Sequence, residues 1–398
     1  MSDAVLAARN AAGLSFALNG LLFATLVSRI PAVREHLDLG NGALGLLLLA
    51  IAAGSVLALP VTGALIQRSS AGAVVRLGAV LDACGLVLAS VGAGVVEEVG
   101  LTAVGLFVHG IGIGVWDVAM NVEAAEVERE LGRTVMPRFH AGWSFGSIAG
   151  AALGIPMAAA DVPLPVHLGA VAVVVVVVAV WSAGRFLPAS PPVEDDHRPS
   201  SAASAWTEPR TLAIGVMVLA FATVEGTAND WLSLALIDGY DARHWVGVTG
   251  YALFVCAMTT GRMLGPVLLD RWGRVPVLRL SAVTAGAGIL LVVLGDIWPV
   301  VGLGILAWGL GASLGFPVGM SAAADDSRHA AARVSVVATI GYGAFLAGPP
   351  LLGFLGDRIG TLEALLVVAA LMVPAALTAS AARPAARPTA ERPTVERA

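Results

Sequence analysis

The chain has 398 residues, 57% of them apolar and only 13% charged, with a mean hydropathy of +0.85 and a net charge of −5. Soluble domains carry about 25% charged residues, so this chain lacks the charge to cover a water-facing surface, and lipid is its natural solvent. The same numbers exclude a disordered chain, a coiled coil, collagen and a disulfide scaffold, and they give no support for a nucleic-acid partner.

Twelve apolar stretches are long enough to cross a bilayer as helices, about 20 residues each. They run over 10–32, 42–66, 73–95, 99–122, 139–160, 164–187, 210–236, 246–269, 277–296, 298–323, 334–356 and 361–381. Span six contains the run Val173 to Val178. In lipid the backbone must satisfy its own hydrogen bonds, so even this β-branched run is read as helix. Span one is not read as a cleavable signal, because it lacks a basic flank and a small-residue cleavage site. The 57% apolar content includes two cysteines, Cys84 and Cys256, which lie inside spans and carry no redox message.

All 23 basic residues are arginine, and their placement sets the orientation. With the N-terminus in the cytoplasm, eighteen fall in cytoplasmic segments, four outside (Arg29, Arg34, Arg243 and Arg358), and Arg262 within span eight. The expected location is the plasma (inner) membrane with both termini cytoplasmic. The polar stretch 188–209, rich in Pro, Ser and acids, reads as a linker between a 1–187 bundle and a 210–381 bundle of six spans each. The tail 382–398 reads as disordered.

The halves repeat at an offset of about 200 residues. Phe23-Ala24-Thr25 matches Phe221-Ala222-Thr223, His109 through Met120 matches Trp308 through Met320, Arg68 and Arg76 match Arg271 and Arg279, and Ala149-Gly150 matches Ala347-Gly348. Parallel six-span repeats are a transporter architecture. With these features the chain resembles the major facilitator superfamily over essentially its whole length. The loop after span eight, Asp270-Arg271-Trp272-Gly273-Arg274, resembles that family's signature, whereas the loop after span two has Gln67 where an Asp is expected. The strings SRIPAVREHL, WDVAMN, MPRFHAGWSFG, EGTANDW and GFPVGMSAAADD resemble the MosC-like, rhizopine-permease-like branch, which sits near sugar permeases. The resemblance implies an all-α fold of twelve helices in two pseudo-symmetric bundles, and alternating access to a central site. It also implies uptake of a small polar solute such as a sugar or inositol-like compound. Proton-driven efflux of drugs or metabolites, and a non-transporting membrane sensor, remain as alternatives.

Ionisable groups inside spans cost roughly 2.5–3.5 kcal/mol each at mid-depth, so each needs a partner, a cavity or a function. Glu225, central in span seven, is the first candidate proton carrier, and a structural carboxyl paired with an Arg or a hydroxyl is its plain alternative. Asp117 is the second, forming an i,i+4 pair with Asn121 in span four. His109 shares part of that face, while Asp82 is read as structural. Glu123 to Arg133 read as a solvated extension of span four. Asn19, Trp116, Asn121, Trp143, Glu225, Asn229, Trp308 and Tyr342 are candidate substrate contacts, since aromatic faces and amides suit a ring-shaped solute. An Arg29–Asp230 contact is expected to close the outer gate, with snorkelling of Arg29 as its alternative. Arg138 and His140, with Asp325, Asp326 and Arg333, form a candidate inner gate, and the resemblance adds Asp270, Arg271 and Arg274. Glycines in spans four and ten allow close helix approach. No phosphate loop, HExxH, CxxC or GxSxG motif occurs, so no cofactor, metal or enzymatic activity is expected. The partners expected are a small-molecule substrate, protons and lipid, around a monomer.

Overall fold

The computed structural model describes residues 3–132, 135–188, 205–325 and 330–384. Among them the secondary structure is helical. The first half holds α1 (Asp3–Val27), α2 (Ile30–His36), α3 (Asn41–Arg68), α4 (Ala71–Val91), α5 (Val99–Leu131), α6 (Met136–Ala159) and α7 (Leu164–Ala183). The second holds α8 (Pro209–Tyr240), α9 (His244–Trp272), α10 (Arg274–Leu294), α11 (Trp298–Ala312), α12 (Gly315–Ala323), α13 (Ala330–Ile359) and α14 (Thr361–Thr378). Spans one and ten are each broken into two helices, α1–α2 at Ser28-Arg29 and α11–α12 at Ser313-Leu314. Twelve spans in two pseudo-symmetric bundles result, the major facilitator fold.

Eleven helical stretches among the described residues are long and apolar enough to cross a membrane. The other span, α6, has 24 residues and carries Arg138, His140, Ser144 and Ser147 among its glycines and alanines. Lipid-type surface is evident where valines point outward: in α7, Val173 and Val177 are exposed and Val175 is buried. The helix ends are closed locally. Ser70 accepts the Ala73 amide at the start of α4 (3.1 Å), Glu98 accepts the Gly100 and Leu101 amides at the start of α5, and Gly132 ends α5 at φ +60°.

Within each half, glycine sets the helix spacing. A Cβ on Gly112 of α5 would lie 2.1 Å from the Asp82 amide nitrogen of α4, and one on Gly311 of α11 would lie 2.3 Å from the Ala285 nitrogen of α10. These equivalent contacts, in spans four and ten, carry the internal repeat into three dimensions.

Of the expected linker, 189–204 lie outside the described residues. Ala205 is already helical and buried against Ala332 and Val336 of α13, so ordered packing begins before the expected boundary at 210. Of the expected tail, 385–398 lie outside the described residues. The extension of span four is not uniformly solvated. Glu123 is 3% exposed and accepts the Leu187 amide at 2.8 Å.

Candidate functional site

The two halves meet most tightly at the end opposite the chain termini, here called the far end. Arg34 of α2 donates to both carboxylate oxygens of Asp238 of α8, at 2.5 and 2.6 Å, and its Nη1 also donates to Asn41 Oδ1 at 2.9 Å. Thr361 at the start of α14 donates to Asp238 at 2.8 Å and accepts from Asn41 Nδ2 at 3.0 Å. Asp357 of α13 accepts the Asn41 and Gly42 amides at 2.7 and 2.8 Å. Backbone meets backbone beside this network, where a Cβ on Gly45 would lie 2.3 Å from the Pro349 carbonyl oxygen.

The expected Arg29–Asp230 gate is not formed. Arg29, 4% exposed, donates through Nη2 to the Val162 carbonyl at 2.6 Å and has Asp161 as its nearby charge. The helix break at Ser28-Arg29 turns its side chain towards the α6–α7 connection of its own half. Asp230 instead lines a narrow cleft between α8 and α13. Closure at the far end falls to Arg34, Asn41, Asp238, Asp357 and Thr361, all at or near span ends, where charged residues resemble ordinary interfacial anchors.

At mid-depth Glu225, central in α8, accepts a charge-assisted hydrogen bond of 2.8 Å from Arg262 Nη2 of α9. The two side chains are 14% and 28% exposed, so the pair is reachable rather than sealed. Arg262 also lies within electrostatic reach of His140 on α6 of the opposite half. Across the halves in the other direction, Asp117 of α5 acts electrostatically on Tyr342 of α13, and Asn121 Nδ2 donates to Asp117 Oδ1 at 3.3 Å. Tyr251 of α9, 1% exposed, lies within reach of both Glu225 and Asp230. The halves thus face each other through two pairs of groups, Arg262 with His140 and Asp117 with Tyr342. Such groups can hold a polar solute by hydrogen bonds and hold or release a proton at a carboxylate.

Other expected contacts divide. Trp143, half-buried, donates its indole N–H to Asn19 Oδ1 at 3.0 Å and packs on Phe23, with ring centroids 5.8 Å apart. Tyr342 is 40% exposed and Asn229 half-buried. Trp116 and Trp308, expected to meet the solute, do not: each is 0% exposed and buried inside its own bundle. Trp116 donates to Ser15 Oγ at 2.8 Å, and Trp308 donates to the Val224 carbonyl at 3.2 Å and meets Phe254 edge-on. Their apolar area and single donor are spent on packing equivalent spans. His109 is likewise turned away from the Asp117 face. Its Nδ1 lies 2.5 Å from Asp82 Oδ1, with both residues fully buried between α4 and α5.

At the end near the termini, Arg274 donates to Asp325 at 2.7 and 2.9 Å and to Ser321 at 3.0 Å, and Arg210 donates to Asp325 at 3.0 Å. Arg333 pairs with Glu208 at 2.6 Å. All of these residues belong to the second half, so these bonds tie α8, α10, α12 and α13 to one another. Asp270, Arg271 and Arg138 are exposed, while His140 packs edge-on against Phe16, 5.1 Å between centroids. Asp326 lies outside the described residues.

Sequence reading missed the role of Arg262, although an arginine inside an apolar span was itself the signal. It also missed Tyr251, which looks like any buried aromatic in the sequence.

The family model of the Major Facilitator Superfamily matches residues 12–343 and 248–398. The chain is 34% identical to the uncharacterized transporter y4wD of Sinorhizobium fredii, over 89% of this chain and 95% of that protein. It is 27% identical to the membrane protein MosC of Rhizobium meliloti, over 90% of this chain and 86% of that one, in keeping with the resemblance read from the sequence strings. Among solved structures, the E. coli fucose:proton symporter FucP superposes with a TM-score of 0.64 at 16% identity, covering 94% of this chain and 98% of its own. With the family model spanning the chain and a relative 34% identical along nearly all of it, this protein belongs to the major facilitator superfamily.

Proposed function

We propose that the protein is a secondary active transporter of the plasma membrane that moves a small polar solute, of the sugar or inositol-like class, by alternating access coupled to protons. The observation that carries the reading is the Glu225–Arg262 pair, partly exposed at mid-depth and facing His140 of the other half. Glu225 is the principal proton carrier and Asp117 the second. Asn19, Asn121, Trp143, Asn229 and Tyr342 supply amide, indole and phenol contacts to the solute.

Membership of a superfamily with a fucose:proton symporter among its structural neighbours supports the solute class and the coupling. With both termini cytoplasmic, the far end is the outer face. The state described is then closed to the outside by the Arg34–Asp238 and Asp357–Asn41 contacts. Charged lining favours a polar solute over a lipophilic one, because desolvated charges repel apolar cargo.

The test is uptake into proteoliposomes under an imposed pH gradient, with labelled sugars and inositols as probes. Wild-type protein accumulates solute and Glu225→Gln loses gradient-driven accumulation. Unchanged dependence on the gradient in Glu225→Gln removes Glu225 as the carrier.

A further inference from the structure

Two carboxyls five residues apart on α8 meet opposite surroundings. That spacing turns them about 140° from each other around the helix. Glu225 faces α9, where Arg262 is its counter-ion at 2.8 Å. Asp230 faces α13 across a narrow cleft with a free volume of about 10 Å³, room for one water molecule. The other lining residues include Thr223, Thr227 and Trp231 of α8 and, on α13, apolar groups such as Phe345, Pro349 and Leu352. Asp230 is half-buried, has no hydrogen bond or ion pair among the described residues, and no cation acts on it. Thr223 already donates to the Leu219 carbonyl at 2.8 Å. Thr227 and Trp231 are 2% and 1% exposed, and neither the Thr227 hydroxyl nor the Trp231 indole N–H has a partner. Tyr251 of α9 is the titratable neighbour of Asp230, and no titratable residue of α13 lines the cleft.

We propose that Asp230 is a proton-binding site in its own right, neutral while the far end is closed and exchanging its proton when the cleft opens. The proposal rests on the proton-coupled reading for its use in transport, and it adds a carboxyl to that reading. An ionised carboxylate at this depth, with no counter-ion, is among the costliest groups a membrane helix can carry. One water molecule cannot stand in for its hydration shell. A neutral carboxyl has no such need. Its O–H donates and its C=O accepts, so a single bridging water can join it to the Thr227 hydroxyl and the Trp231 N–H. The O–H bond forms at one Asp230 oxygen with a proton taken from water, and breaking it returns the proton to water. Because Asp230 is half-buried rather than sealed, that exchange has a path. Pro349 links the site to the gate. It lines the cleft, and its carbonyl is what Gly45 of the other half packs against. Parting the halves at the far end removes that support from the α13 wall. Water from the far side then reaches Asp230, and closure traps the proton it has taken.

The test uses the full-length chain reconstituted in lipid, with infrared difference spectroscopy reading the C=O stretch of protonated carboxyls at neutral pH. The expected result is a component of that band that is lost in Asp230→Asn and kept in Glu225→Gln and Asp117→Asn. Superimposable spectra of wild type and Asp230→Asn overturn the proposal. Asparagine has nearly the shape of the neutral acid, so this variant is expected to fold. If it does not, Trp231→Phe serves: loss of the indole donor shifts the frequency of the same component, and an unshifted band overturns the proposal. Melting temperature gives a second readout. A proton held by the folded chain and released on unfolding makes stability fall as pH rises, so the wild-type melting temperature falls more steeply with pH than that of Asp230→Asn. Parallel profiles overturn the proposal. Exchange into deuterium oxide, followed through the same component, is at least fivefold faster in Asp357→Ala, which loosens the far end, and an unchanged rate breaks the link to the gate. Wild-type protein that shows the Asp230 component but no gradient-driven uptake sinks the proton-coupled reading and leaves this site standing. Uptake driven by the gradient without that component does the reverse.

Discussion

Asp357, near the end of α13, accepts the Asn41 and Gly42 amides at the start of α3, so a helix of one half is capped by a carboxylate of the other. A helix N-terminus has free amides and a partial positive charge. Here both are satisfied only while the halves stay together at this end.

Asp357→Ala is therefore expected to cost the closed state about 1–2 kcal/mol, the usual loss on removing a cap. That corresponds to a roughly 5- to 30-fold shift in population. Double electron–electron resonance between spin labels on opposite halves at the far end measures it, and the long-distance population rises in the variant.

Arg34 and Asp238 form a bidentate pair across the same seam, partly exposed at 19% and 27%. Solvent screening limits such a pair to about 1 kcal/mol or less. Arg34→Gln alone opens the far end only a few-fold. The charge swap Arg34→Asp with Asp238→Arg restores closure in the same resonance measurement, whereas a swap no better than the single variants shows that the pair does not hold the gate.

The Glu225–Arg262 bond predicts strong coupling between the two residues. Removing either partner leaves a charge at mid-depth without its counter-ion. Glu225→Gln and Arg262→Gln should each reduce transport at least tenfold, and the double variant should be no worse than the more damaged single one. Initial uptake rates in proteoliposomes check this, and simple multiplication of the two losses would mean that the residues act separately.

Trp308 and Trp143 should separate by readout. Trp308→Phe loses a buried hydrogen bond to Val224 and costs about 1 kcal/mol of stability, seen as a lower melting temperature with KM for the solute unchanged. Trp143→Phe releases Asn19 at the seam and raises KM while shifting the melting temperature little.

Gly112→Ala would drive a methyl group to 2.1 Å from the Asp82 backbone nitrogen. Neither helix backbone can yield cheaply, so overpacking of about 2–3 kcal/mol is expected. Gly63, where an added methyl group would meet nothing within 4 Å, is the control, and Gly63→Ala should leave the melting temperature unchanged.

The fold was legible because lipid leaves helices few alternatives, and composition alone announces lipid. Asp117 with Asn121 and Glu225 at mid-depth were legible for the same reason, since a charge among apolar residues stands out. What escaped was pairing. Whether Arg29 reaches Asp230 or Val162 depends on a two-residue break between α1 and α2 that no periodicity marks. Trp116 and Trp308 were misread because an aromatic residue among glycines suits a cavity wall and a tight helix contact equally well. The far-end network was missed because Arg34, Asp238 and Asp357 lie where charges normally meet water.

The contact of Gly45 with Pro349 is backbone against backbone and cannot be relieved by turning a side chain. Gly45 lies four residues from the start of α3 and twenty-three from its end at Arg68, about 6 Å and 35 Å along the axis at 1.5 Å per residue. While that contact holds, α3 behaves as a lever with unequal arms. A tilt that parts the far end by one ångström sweeps the opposite end through about six, so a small widening at one mouth is matched by a broad narrowing at the other.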